Sequence, residues 1–363
     1  MLSRRKFLHQ ISIASAALYA SQIPLFAEDV NSPYRKKDIS AFSKRLTPIG
    51  RILELEGYYV WGTSPIIGPD GKTHLFFSRW DSKRGMGGWL NSSEIAHAVG
   101  DKPEGPYYNI ETLFAPRGEG YFDGTTCHNP HIKFIDGKYC LFYIGNSNKK
   151  TDTKRVAMAI ADSPYGPWKR PDKPLVEVNN AVDAWDNHCT SNPSFIKHPN
   201  GKYYLYYKSW NSSEYYNSDH PTIKGNRKYG LAISDKLEGP YIKYAGNPII
   251  DYSSFGNNRQ LEDGYVFMEK GRFYMIARDM GRFDQKVGII IESKDGIHWT
   301  EPKIAYFGVD HYVQEPPAPK NLTKYGRFER PQLLLQNEKP THLFVASQGG
   351  KWMTSSNFVF KIG

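Results

Sequence analysis

The chain has 363 residues, 39% hydrophobic and 14% aromatic, with 47 Lys and Arg against 37 Asp and Glu for a net charge of +10. The basic residues are scattered rather than gathered in a block, which argues against a nucleic-acid groove and leaves room for an anionic ligand such as a sulfated or uronic-acid glycan. Cys127, Cys140 and Cys189 are odd in number and lack metal-ligand spacing, which argues against a disulfide framework and predicts unpaired structural thiols.

At the N-terminus, Ser3-Arg4-Arg5-Lys6-Phe7-Leu8 precedes an uncharged run from Ile11 to Ala20. That pattern predicts a twin-arginine signal peptide over residues 1–27, and hence a periplasmic or secreted protein. The apolar run is too short to span a bilayer, so no membrane association is expected after cleavage. Cleavage removes three of the 47 basic residues and no acid, which lowers the net charge to +7. Residues 28–50 are expected to be an N-terminal extension and residues 51–363 a single β domain.

Within that domain one pattern recurs five times: a Pro opens an apolar strand, a Gly-containing turn follows, and an aromatic-rich strand returns. The copies open at Pro65, Pro130, Pro193, Gly264 and Pro331, which lie 65, 63, 71 and 67 residues apart. Four carry Asp70-Gly71, Asp136-Gly137, Asn200-Gly201 or Lys270-Gly271 turns that predict tight hairpins, and the fifth has lost its glycine. A second repeat, Gly105-Pro106-Tyr107, Gly166-Pro167-Trp168 and Gly239-Pro240-Tyr241, follows segments such as Val156 to Ala161 and Tyr229 to Ser234 that read as third strands. With no long 3.6-residue period anywhere, the fold is expected to be an all-β five-bladed β-propeller. Its ring would close by pairing a strand near Ile52 to Tyr59 with Phe358-Val359-Phe360.

The innermost strands of a propeller line one funnel, so the residues opening them form the predicted site. Those immediately before the five openings are Ser64, Asn129, Asn192, Asp263 and Arg330, preceded by Thr63, His128, Ser191, Glu262 and Glu329. All ten are polar. Turns are polar in any case, but convergent carboxyls such as Glu262, Asp263 and Glu329 push one another's pKa values apart, which separates an acid from a base. Seven residues ahead of the second and third openings stand Asp123 and Asp186, in parallel loops that also hold His128, His188 and Trp185. Trp61 and Trp185 suit stacking on a sugar ring. His128, His188 and His311 show no metal-ligand spacing, and neither a metal nor another cofactor is expected.

From about Gly57 to the C-terminus these motifs resemble the five-bladed glycosidases of families 43 and 117. The likeness is carried by hairpins such as Gly201-Lys202-Tyr203-Tyr204-Leu205 and by Leu261-Glu262-Asp263. Family 43 implies that Glu262 is the acid, although Thr63-Ser64-Pro65 and Asn192-Pro193 stand where that family has acidic residues. Family 117 implies an acid on the following connection, where His311 lies, with Asp263 tuned and Asp123 as base. Either relative implies an inverting glycosidase, and the blind funnel points to release of one sugar from the end of an algal or plant oligosaccharide. Two alternatives stay open: a glycoside phosphorylase, for which Arg278, Arg282 and Arg330 would gather phosphate, and a non-catalytic sugar-binding propeller.

Overall fold

Turn chemistry fixes the hairpins. Asp136 and Gly137 take φ of 51° and 77°, and Lys270 and Gly271 take 51° and 74°. Both central residues thus have the left-handed backbone that lets a two-residue hairpin follow the twist of its strands. The fifth hairpin turns the same way without glycine, with Asn337 at 49° and Glu338 at 62°. The computed structural model describes residues 34–218, 224–255, 260–319 and 322–363; the expected signal peptide lies outside them. Residues 37–363 form one unit.

In chain order the strands are β1 (Leu46–Ile52), then β2 (Tyr58–Ile67), β3 (Thr73–Asp81), β4 (Glu94–Gly100) and β5 (Tyr107–Phe114). A second group holds β6 (Thr126–Ile135), β7 (Lys138–Asn146) and β8 (Arg155–Ala161). The third is β9 (Ser191–Lys197), β10 (Tyr203–Ser209), β11 (Lys228–Ser234) and β12 (Ile242–Lys243). A fourth runs β13 (Leu261–Glu269), β14 (Arg272–Asp279), β15 (Gly288–Ser293) and β16 (Lys303–Tyr306), and the last holds β17 (Glu329–Gln336), β18 (Lys339–Gly349) and β19 (Thr354–Ile362). Within each group consecutive strands pair antiparallel. A single parallel pair, Ser355↔Tyr59, joins the last group to the first in one eight-stranded sheet.

The C-terminal strand does close on an N-terminal one, but an earlier one than expected. β1 pairs with β19 through Gly50↔Val359 and Arg51↔Phe358. Residues 46–50 are thus part of a paired strand, and Tyr58 starts the next one. The three cysteines are buried and unpaired.

The first strands β2, β6, β9, β13 and β17 neighbour one another in that order, and β17 returns to β2. Side chains stitch this ring. Ser64 Oγ accepts from the Ile132 N–H at 3.0 Å, His131 Nε2 from Phe195 N–H at 3.2 Å, and Ser194 Oγ from Val266 N–H at 2.7 Å. Tyr265 donates its hydroxyl to the Leu333 carbonyl at 3.2 Å. Gln332 Oε1 accepts from Ser64 Oγ at 3.1 Å and from His131 Nδ1 at 3.0 Å, so His131 is the neutral Nδ1–H tautomer. Burial holds it so, keeping its pKa well below the ordinary value.

Above each stitch the first strand carries a bulge, at Trp61/Ser64, His128/His131, Glu262/Tyr265 and Glu329/Gln332, with the β9 bulge opposite Tyr206/Lys208. The residues turned to positive φ there are Gly62, Asn129, Asn192, Asp263 and Arg330, at 48° to 61°. The equivalent of Asn129 in the first copy is thus Gly62, not Ser64: Pro65 sits two residues later than its counterparts. We expect Ser194→Ala to lower the unfolding free energy by about 1–3 kcal/mol, because it strands a buried N–H. Urea unfolding measures this, and a loss below about 0.5 kcal/mol would argue against the stitched ring.

Candidate active site

In an antiparallel sheet the start of the first strand, the end of the second and the start of the third lie at one edge. Here that shared edge encloses a cavity of about 320 Å³. β2, β6, β9 and β13 contribute Trp61, His128, Asn129, Asn192, Glu262 and Asp263, and β17 contributes Glu329. Lys208 and Arg278 come from the ends of β10 and β14, and Lys154 and Arg227 from just before β8 and β11. Trp89, Trp210 and Tyr215 add aromatic wall.

The floor is the ring of left-handed residues. Asn129 Nδ2 donates to Asn192 Oδ1 at 3.3 Å, and Asn192 Nδ2 donates to Asp263 Oδ1. Asp263 Oδ2 accepts the Arg330 backbone N–H at 3.2 Å, and Arg330 Nη2 returns to the Asn129 carbonyl at 3.4 Å. Gly62 fills the remaining place, where a Cβ would come within 3.0 Å of Asn129 Oδ1. Only glycine fits there without displacing that amide.

The three cavity carboxyls differ in state. Burial alone would raise Glu262, but Lys208 Nζ, Arg227 Nε at 3.4 Å and Arg278 Nη1 at 3.1 Å outweigh it and hold the carboxyl well below its ordinary range. Burial likewise opposes Glu329, yet Arg278 at 3.5 Å, Lys324 at 3.3 Å and Arg327 at 2.6 Å hold it to about 2. Asp263 goes the other way. Burial and the charge of Glu262 raise it, with Arg330 at 3.7 Å only partly opposing. On the facing wall His128 is kept neutral by burial and nearby cations, and its Nδ1 meets Ser93 Oγ at 2.8 Å.

Eight of the fourteen sequence-predicted residues line the cavity: Trp61, His128, Asn129, Asn192, Glu262, Asp263, Arg278 and Glu329. Arg330 is buried beneath them. His188 stands behind the wall, stacked on Trp210 at 5.2 Å and bonded to Thr151 Oγ1 at 2.9 Å. The other four lie elsewhere. Asp123 is enclosed by Arg117 at 2.7 Å, Arg170 at 2.6 Å and the Tyr143 hydroxyl at 2.9 Å. Asp186 is likewise held by Lys243 at 2.6 Å and the Tyr207 hydroxyl at 2.9 Å. Trp185 stacks on that same Tyr207. His311 is exposed on the short helix Val309–Tyr312, its ring against Phe307 and Tyr312. Asp123, expected as base, and His311, expected as acid, thus both lie outside the cavity. Arg278, Arg282 and Arg330 do not gather either, since Arg282 pairs with Glu301 at 3.0 Å outside the cavity.

Sequence reasoning passed over Lys154, Lys208, Trp210, Arg227, Lys324 and Arg327. The signal was present: Lys208 stands at the end of the second strand of the third copy and Trp210 just after it, and that end shares the edge with the first-strand openings.

No protein-family model matches the chain, and no curated protein matches it either. Solved structures do. A family 117 glycoside hydrolase, Zg3597, produced by the marine bacterium Zobellia galactanivorans, is 20% identical with a TM-score of 0.62, over 87% of this chain and 90% of that one. CoXyl43, a family 43 β-xylosidase/α-arabinofuranosidase from a compost microbial metagenome, is 15% identical with a TM-score of 0.54, over 87% and 95%. A GH43_1 enzyme from Xanthomonas citri is 15% identical with a TM-score of 0.52, over 86% and 90%. At these identities the likeness establishes the fold, which is a β-propeller.

Asp123→Asn tests whether this placement is structural. Removing one partner from a buried ion-pair cluster costs about 3–5 kcal/mol, so this variant should lose melting temperature while its folded fraction keeps near-normal ligand affinity. An unchanged melting temperature would return Asp123 to the candidate set.

Proposed function

We propose that this protein is a five-bladed propeller acting as an exported, exo-acting glycoside hydrolase. Parting the eight-stranded sheet at its one parallel pair leaves five antiparallel groups around five mutually neighbouring first strands, which supports the blade count. Carboxyls that differ in proton affinity converge in one aromatic-walled cavity at the ring's axis, and this observation carries the hydrolytic reading. CoXyl43, of the same fold, was solved with xylotriose. The asparagine, aspartate and arginine floor supports exo action, because a closed floor admits a chain end. Export rests on Arg4-Arg5 and the uncharged run from Ile11 to Ala20 that follows.

In this reading the roles follow from the charges. Glu262, held ionised by three cations, is the base that activates water. Asp263, whose proton affinity is raised, delivers a proton to the leaving oxygen. Arg278 bridges Glu262 and Glu329 and keeps both ionised. Water activated by a base attacks in one displacement, which inverts the anomeric carbon.

Glu262→Gln and Asp263→Asn should each lower kcat about 10²- to 10⁴-fold, the usual cost of losing a general acid or base. The pH profile carries the sign. Activity needs Asp263 protonated and Glu262 ionised, so it should fall as pH rises through the raised Asp263 pKa and persist to low pH. Asp263→Asn should remove the alkaline limb. Reducing-end assays on a neutral and acidic oligosaccharide panel test the whole reading, with NMR of the first product anomer. Binding without turnover of any member would replace hydrolysis by sugar binding alone.

A further inference from the structure

Among the described residues six cationic side chains line the cavity, Lys154, Lys208, Arg227, Arg278, Lys324 and Arg327, against the three carboxyls Glu262, Asp263 and Glu329. The excess is local. Arg278, Lys324 and Arg327 surround Glu329, whereas Lys154, Lys208 and Arg227 cluster about the Trp210 ring, at 4.5, 5.5 and 5.2 Å from its centre. Glu262 is the one carboxylate within 4 Å of any of these three among the described residues, and it reaches Lys208 and Arg227 but not Lys154.

The Lys154 side chain is nine-tenths or more buried, with its ammonium against the Trp210 and Trp89 faces. Burial, aggravated by Lys208 and Arg227, pushes its pKa down to about 8. Arg227 Nε and Nη1 and the Trp210 indole N–H are also buried without a hydrogen-bond acceptor; Arg227 Nε faces Glu262 at 3.4 Å but is not aligned with it. Like charges and unused donors at a buried wall are costly unless an anion completes them.

We propose that Lys154, Arg227 and Lys208, arranged around Trp210, recognise an anionic substituent of the sugar, a carboxylate or a sulfate ester. The inference rests on the sugar-hydrolysing reading above and adds the substrate class. The anion site lies beside Glu262 rather than in place of it, so the charged group would sit on the sugar that the carboxyls act on or on its neighbour. The indole supplies a face for that ring.

Monosaccharides are not cleaved, so they report this subsite independently of catalysis. The probes are glucuronate, galacturonate and galactose 6-sulfate, each against its neutral parent sugar, with inorganic phosphate alone as the free-anion control, all by calorimetry on the whole protein. At least one charged sugar should bind ten-fold or more tightly than its parent. Which charged sugar wins separates carboxylate from sulfate. Lys154→Met should abolish that preference and leave the affinity for the neutral parent unchanged. If Lys154→Met does not fold, Arg227→Gln must reduce the same preference. Equal binding of charged and neutral sugars, an intact preference in the variants, or phosphate binding alone as tightly as the charged sugars would each overturn the proposal. Turnover of neutral oligosaccharides without charge preference would sink this inference and keep the hydrolase; a charged-sugar preference without turnover would do the reverse.

Discussion

The structure depends on satisfying the inner edge of each sheet. A first strand has a partner on one side only, and its free N–H and C=O groups need partners from elsewhere. Ser64, His131, Ser194, Tyr265 and Gln332 reach across this gap, mostly to the backbone of the next first strand. Contact between neighbouring first strands therefore rests on side chains where strand pairing does not reach. It also rests on one neutral histidine, because only the neutral tautomer can accept from Phe195 while donating to Gln332.

The bulges immediately above follow from the same geometry. One extra residue in a first strand turns a side chain sideways along the ring instead of into a sheet face. That is why Asn129, Asn192, Asp263 and Arg330 bond to one another. The floor of the cavity and the stitched ring of first strands are thus consecutive layers of one device. Asp263 acquires its raised proton affinity by belonging to it: burial and the neighbouring Glu262 charge act together where solvent cannot relieve either.

Much of this was legible, and the failures have physical reasons. The period of the Pro-strand-Gly-turn motif marked the hairpins because turn chemistry is local. Register was harder. Pro65 imitates the opening prolines of the other copies, yet the backbone aligns Gly62 with Asn129, and only the positive φ shared by the five positions reveals it. Asp123 and Asp186 lie away from the cavity for a related reason. Parallel loops gave them equivalent places, and each is indeed used alike, but as a buried ion-pair anchor with its own tyrosine, Tyr143 or Tyr207. Here equivalence in the repeat marks a shared structural duty. Lys154 and Arg227 escaped notice because attention to first strands ignores third-strand openings on the same edge.

What distinguishes the five copies is therefore more informative than what they share. At one backbone position they carry glycine, asparagine, asparagine, aspartate and arginine, and in the position before it Trp61, His128, Ser191, Glu262 and Glu329. A symmetric frame thereby acquires three unlike walls: carboxyls on β13 and β17, tryptophan and neutral histidine on β2 and β6, and cations around Trp210 beside β8, β10 and β11. The carboxyl wall is charge-compensated by its own arginines and lysines, whereas Lys154 in the third wall has no carboxylate beside it among the described residues. A neutral occupant would leave that imbalance in place. A negatively charged one would resolve it, with its charge placed beside Glu262 by Lys208 and Arg227.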